Sequence, residues 1–232
     1  MANNITLSVV LPSYLEEENL RLILPRLHDV LEKLTDAYEI LVVDTMTPLD
    51  NTVDVCLQNS VRYINREGGN SFGDAVRTGI AQARGKYLLF MDADGSHPPE
   101  FIPNLYRHVG DHDVVIASRY VKGGYTENPW VLVYMSRVLN LIYSVVLNLK
   151  CKDVSNSFKI YRGELLRPLK LYCDNFDIVE ELLYKLSKQN KGISIREVPF
   201  SFKKRMFGKT KRSLFVFIVS YLFTLLKLRF GK

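Results

Sequence analysis

Apolar residues recur in this chain as short unbroken runs, separated by longer stretches with helical spacing. Residues 5–11 (Ile-Thr-Leu-Ser-Val-Val-Leu), 38–44 (Tyr-Glu-Ile-Leu-Val-Val-Asp), 61–65, 85–92 and 113–117 predict strands bounded by turn residues. The acidic run Glu16-Glu17-Glu18 opens a helix to about Lys33, with Leu20, Ile23, Leu24, Leu27 and Leu31 on one face. Residues 48–52 are turn chemistry ahead of a second helix, and 74–84 predict a third. Strands alternating with helices across short loops predict an α/β fold, its mostly parallel central sheet covered by helices on both faces.

The second half changes character. Residues 130–149 carry one charge, Arg137, in twenty positions. Length alone permits a membrane span, yet an Arg with Asn140 and Asn148 inside it is costly. A pair of amphipathic helices lying on a bilayer surface suits the pattern better. Residues 198–202 predict a last strand and 203–212 a basic loop. Residues 214–226 are thirteen uncharged positions flanked by Lys and Arg on both sides. They are too few to span a bilayer and suit an interface, docking on the domain or a partner contact. The expected division is a globular domain over 1–212 and a hydrophobic, basic, membrane-associating segment over 213–232.

The 232 residues are 47% hydrophobic, enough for a substantial core. The net charge of +6 is unevenly spread, since nine Lys/Arg fall in 203–232 with no acid among them. That asymmetry favours an anionic partner, phospholipid headgroups or phosphates. No nucleic-acid motif accompanies it, which argues against nucleic acid. Cys56, Cys151 and Cys173 are odd in number and lack metal spacing, as suits a reducing compartment. No signal-peptide pattern precedes the first strand, so a cytoplasmic location is expected.

The strand at 85–91 runs into Asp92-Ala93-Asp94-Gly95-Ser96-His97-Pro98-Pro99. Ligands of open α/β sheets gather beyond the carboxyl ends of strands. Two carboxylates one residue apart there offer hard oxygen ligands to Mg²⁺ or Mn²⁺, with positions left for a diphosphate. A plainer reading makes one Asp the cap of a helix starting near Pro99. The glycine-rich loop 68–73 fits neither the dinucleotide nor the P-loop fingerprint. His97, ahead of Pro-Pro, reads as a structural loop residue, and His28, His108 and His112 have no evident partners in the sequence.

Seven pieces in order carry a resemblance: 11–20 (Leu-Pro-Ser-Tyr-Leu-Glu-Glu-Glu-Asn-Leu), 42–44 (Val-Val-Asp), 91–103, 117–120 (Ala-Ser-Arg-Tyr), 135–137 (Met-Ser-Arg), 153–162 and 198–211. Through them the chain resembles the inverting family 2 glycosyltransferases, the family that includes dolichyl-phosphate mannose synthase. The last two pieces single out the polyprenyl-phosphate branch. The resemblance implies a GT-A type fold with peripheral amphipathic helices, 1–212 being the catalytic domain. It also implies metal-dependent transfer of a hexose from a nucleotide sugar, GDP-mannose first and UDP-glucose next, to a polyprenyl monophosphate. The enzyme would sit peripherally on the cytoplasmic face of an anionic membrane, with a membrane-anchoring subunit as a further partner.

Residue by residue, the resemblance implies that Pro12, Tyr14 and Glu16 hold the nucleoside with Val43 and Asp44. Asp92 and Ala93 line the diphosphate side, Asp94 binds Mg²⁺ or Mn²⁺ together with Asp92, and Ser96 offers a further polar metal contact. Arg119 faces the diphosphate, Arg137 meets the lipid phosphate, and Arg205 and Lys211 sit on the basic loop that closes over the donor. One departure is Thr45, where the family usually carries an acid that contacts the nucleoside. A polyprenyl phosphate is already an anion, so it attacks without a general base. Two other readings stay open. One is a same-fold transferase acting on a sugar hydroxyl, with Asp153 or Glu181 as base. The other is a non-catalytic, nucleotide-binding member suggested by Thr45.

Overall fold

The computed structural model describes residues 5–190, 192–204, 206–207 and 214–230. The apolar runs of the first half become β1 (Leu7–Pro12), β2 (Tyr38–Asp44), β3 (Arg62–Asn65) and β4 (Tyr87–Phe90), joined by α1 (Glu17–Glu32), α2 (Thr52–Gln58) and α3 (Phe72–Gln82). They lie parallel in the order β3-β2-β1-β4, with Val9 of β1 paired to Ile40 on one side and Leu89 on the other. α3 starts two residues earlier than predicted because Ser71 and Asp74 form a reciprocal capping box.

Beyond β4 come α4 (Ile102–Tyr106), β5 (Val114–Ser118), β6 (Tyr125–Thr126), α5 (Trp130–Val146), β7 (Lys159–Arg162), α6 (Gly163–Leu166), α7 (Ile178–Gln189), β8 (Ile195–Pro199), β9 (Ser201–Phe202) and α8 (Leu214–Phe230). The full sheet order is β3-β2-β1-β4-β7-β5-β8, with β7 antiparallel to both neighbours, and β6 pairs with β9 beside it. The last predicted strand thus resolves into β8 and β9. Sequence reading does not find β7, because Lys159 stands in the middle of the sheet where an apolar residue would announce a strand. It is fully buried, with Nζ donating to the Val154 carbonyl at 2.7 Å.

Alternation along the strands builds two cores. Val10, Leu41, Val43, Leu88 and Phe90 face α3, α5, α7 and α8, while Leu7, Val9, Leu11, Val42 and Leu89 face α1, α2 and α4. Residues 130–149 hold one helix, α5, ending at Val146, and not the expected pair, since Asn140 and Tyr143 anchor a single face of α5 in the domain. The second helix beside it is α8. Tyr143 Oη donates to the Tyr221 carbonyl at 2.5 Å, Thr224 Oγ1 donates to Asp177, and Leu225 and Leu228 enter the core. Their outward faces stay apolar, through Trp130, Tyr134, Val138, Leu141 and Val145 on α5 and Phe223, Leu226 and Phe230 on α8. Among the described residues, no helix is long and apolar enough to cross a membrane.

Candidate active site

Parallel strands deliver their carboxyl ends to one edge of a sheet. β1 ends there at Pro12, β2 at Asp44, β4 runs on to Asp92, and β5 hands over to Arg119. Because β7 runs the other way, its leading residues, Asp153 to Ser157, arrive at that same edge.

At the centre of the edge, the Asp92 amide donates to His97 Nδ1 at 2.9 Å, and Asp92 Oδ1 accepts from Ser157 Oγ at 2.9 Å. Asp94 Oδ1 accepts from both the amide (3.0 Å) and the hydroxyl (2.6 Å) of Ser96. Ser96 is buried and orients Asp94, and Ala93 is buried between the two carboxylates. Gly95 has φ +82°, and a Cβ there would lie 2.6 Å from Met206 Cγ, so the turn admits only glycine. Over it lie residues 203–204 and 206–207 of a strap. The Met206 amide donates to the Asp94 carbonyl at 2.9 Å, the Lys204 amide to Glu127 at 2.9 Å, and the Phe207 amide to Asn19 Oδ1 at 3.2 Å. Arg205 and Lys211 lie outside the described residues.

Two carboxylates and a hydroxyl form a hard oxygen set, and among the described residues no cluster of three His, Cys, Asp or Glu side chains encloses a metal. Such a set suits Mg²⁺ or Mn²⁺ whose other positions are filled by diphosphate oxygens and water.

On the β1–β2 side, Asp44 is buried, accepts from Tyr63 Oη at 3.1 Å, and is pushed above the usual carboxylate range by burial. Val43 is core and reaches the edge through its carbonyl, which accepts from the Ser13 amide at 2.9 Å. Tyr14 is exposed, while Glu16 accepts from Asn19 Nδ2 at 2.5 Å. Thr45 is buried, and its hydroxyl donates to the Thr47 carbonyl at 2.6 Å, so it shapes its own loop. Arg66 is a residue that sequence reasoning misses. Its guanidinium donates to the carbonyls of Ser13, Asn70 (2.6 Å) and Ser71 (3.1 Å), tying β1 to the glycine-rich loop. A lone Arg between a strand and that loop was the available signal.

On the β5–β7 side, Arg119 does not stand open to a ligand. Nε and Nη2 donate to the two oxygens of fully buried Asp153 at 2.8 and 2.7 Å, and Nη2 also reaches Ser155 Oγ at 2.9 Å. Burial weakens the charged form of Arg119, but the Asp153 carboxylate outweighs it and raises the pKa further. Glu197 braces the same turn by accepting from the Lys152 and Asp153 amides and from Ser118 Oγ. Tyr120 lies between two cations, with the Arg119 and Arg137 guanidinium carbons 5.0 and 5.5 Å from its ring centroid. Arg137 is exposed and, among the described residues, makes no ion pair. Glu181 accepts from the Tyr172 and Cys173 amides and pairs with Lys185 at 2.6 Å. Burial raises its carboxyl, but the Lys185 contact and those amides prevail and hold it below the ordinary range.

The chain is 35% identical over 213 residues to a dolichol-phosphate mannosyltransferase of Pyrococcus furiosus, covering 88% of this chain and 58% of the relative. It therefore spans little more than half of that relative's length. It is 32% identical to a polyprenol monophosphomannose synthase of Mycolicibacterium smegmatis, over 88% of this chain and 80% of the relative. The fold matches that of glucosyl-3-phosphoglycerate synthase from Mycobacterium tuberculosis, solved with Mn²⁺, UDP and glucosyl-3-phosphoglycerate, at TM-score 0.72 and 18% identity, over 97% of this chain and 80% of that one. The glycosyl transferase family 2 model matches residues 8–169, from β1 through the Asp92–Asp94 turn and β7. With that match, the chain belongs to glycosyl transferase family 2.

Proposed function

We propose that this chain transfers a hexosyl group from a nucleotide sugar, mannosyl from GDP-mannose first and glucosyl from UDP-glucose next, to a polyprenyl monophosphate at the surface of a cytoplasmic membrane leaflet. The observation that carries this reading is the state of the acceptor side. Transfer to a sugar hydroxyl needs a base, and both carboxylates considered for that role are occupied. Asp153 is fully buried and bidentate to Arg119, and Glu181 is held ionised by amides and Lys185. A phosphate acceptor is already deprotonated and needs no base. It does need a cation, and Arg137 stands exposed beside Tyr120 to supply one. The mannosyltransferase relatives support the sugar and the lipid.

The donor's diphosphate would lie against the Asp92–Asp94 turn, with Asp92, Asp94 and, through Asp94, Ser96 holding Mg²⁺ or Mn²⁺. Bound there, the metal supplies positive charge to the leaving diphosphate. Asp44, Tyr14 and Pro12 would flank the nucleoside. The 203–207 strap would exclude water above the turn, and Arg205 and Lys211 belong to the same basic segment. Arg119, locked on Asp153, would add its charge to the site while staying in place. The acceptor oxygen would attack from the face opposite the leaving group, giving inversion.

The apolar stripes of α5 and α8 favour membrane contact. Seventeen helical residues reach about 26 Å, short of the roughly 30 Å hydrocarbon core, so each helix would lie along the surface. Lys227 and Arg229 are exposed at the end of α8, where anionic headgroups would meet them. A membrane-embedded partner subunit is the alternative occupant of that face. The test is a panel of GDP- and UDP-sugars with polyprenyl phosphate, with and without EDTA. Metal-dependent labelling of the lipid phosphate supports the reading, and labelling of a glycan hydroxyl alone overturns it.

A further inference from the structure

No role assigned above uses His97, although its side chain is fully buried beside the Asp92–Asp94 turn. The ring stacks on Phe158, with centroids 4.7 Å apart and planes at 14°, and meets Phe200 and Phe202 at 6.0 and 5.7 Å near right angles. Because the Asp92 amide donates to Nδ1 at 2.9 Å, Nδ1 is the acceptor and the ring proton belongs on Nε2. Nε2 in turn lies 4.0 Å from Asp92 Oδ2. That separation is too long for a hydrogen bond, so Nε2–H faces the carboxylate without bonding to it. Ser157 Oγ holds the opposite oxygen, Oδ1, at 2.9 Å.

We infer that His97 is a positioning residue for the metal and diphosphate site: it fixes the Asp92 amide through Nδ1, faces Asp92 Oδ2 with Nε2–H, and ties this turn to the strap that carries Met206. The tie runs through Phe200 and Phe202, because β9 leads directly into the strap whose Met206 amide is bonded to the Asp94 carbonyl. Groups behind a metal ligand set its direction, and their loss typically weakens metal binding by about 10–100-fold. The three phenylalanines give the ring a single orientation, so the bond to Asp92 is made without searching rotamers. The inference rests on reading Asp92 and Asp94 as the metal and diphosphate site.

The discriminating experiment replaces one nitrogen at a time. In H97N the amide oxygen stands near the position of Nδ1, in H97Q it stands near Nε2, and H97F fills the apolar box with no acceptor. Binding of Mn²⁺ to the full chain is followed by electron paramagnetic resonance with GDP and, separately, with UDP. H97F and H97Q are expected to bind Mn²⁺ about 10–100-fold more weakly, and H97N to recover most of that loss. KM for polyprenyl phosphate should stay unchanged in all three. Equal losses in H97N and H97Q, or undiminished Mn²⁺ affinity in folded H97F, would overturn the inference. If H97F does not fold, the comparison of H97N with H97Q decides it. Failure of the unaltered protein to bind Mn²⁺ with either nucleotide would instead overturn the reading of Asp92 and Asp94, and the inference with it.

Discussion

The carboxyl edge of the sheet and the α5–α8 face present opposite surfaces on one domain. At the edge, the groups that matter are carboxylates held by a backbone amide and hydroxyls, as Asp94 is by Ser96 and Asp92 by Ser157. Along α5 and α8 most exposed groups are rings and aliphatic chains, Trp130 being 80% accessible, with Arg137, Lys227 and Arg229 the exposed charges, and Asn140 and Thr224 are turned inward. The proposed metal diphosphate and lipid would require those different surfaces. Arg137 stands where the two regions meet, on α5 but against Tyr120 beside the edge. The contrast predicts that each region fails in its own way when altered.

The largest effect is expected at the edge. Asp94→Ala should lower transfer by about 10²–10³-fold or more and abolish metal-dependent thermal stabilisation by the nucleotide, with the melting temperature of the unliganded protein unchanged. Retained Mn²⁺-dependent transfer would remove Asp94 from the site. At the junction, Arg137→Ala would remove the proposed charge-assisted bond to the acceptor, so KM for polyprenyl phosphate should rise about 10–100-fold. Donor affinity should stay the same; equal losses for both substrates would place Arg137 in the shared centre. On the helix face, replacing Phe223, Leu226 and Phe230 together by Glu should reduce sedimentation with anionic liposomes by at least about tenfold, while nucleotide binding persists. These residues serve better than deletion of 213–232, because deletion also removes Tyr221, Leu225 and Leu228 from the core.

The smallest effect is expected at Glu181. Its folded pKa is depressed, so its contribution to stability is present above the ordinary carboxylate range and is lost as pH falls through the folded value. Glu181→Gln should therefore cost about 1–3 kcal/mol at neutral pH, and the difference from the unaltered protein should vanish in acid. A pH–rate profile that loses a limb in this variant would instead make Glu181 a base.

Much of this contrast was legible in the residues. The runs at 38–44 and 85–92 announce buried strands, and Asp44 and Asp92 close them at the edge where ligands of α/β sheets gather. The outward stripe of α5 was legible as an apolar stretch with a single Arg. The partner of that helix was not. Nothing in 130–149 says that its neighbour is α8, eighty residues on, because helix pairing depends on which faces the sheet leaves uncovered.

The sequence by itself determined the alternating α/β order, the Asp92–Asp94 turn at a strand end and the apolar, basic character of the tail, since each is written in local spacing and residue type. Only the tertiary structure decided that β7 enters the sheet backwards with Lys159 buried, which brings Asp153 against Arg119 and Ser157 against Asp92. It also decided that His97 faces Asp92 from inside a ring of phenylalanines that come from β7's approach and from β8–β9. Most of these contacts join residues thirty or more positions apart or reverse an expected polarity. Hydrogen bonding and burial, not local propensity, fix them.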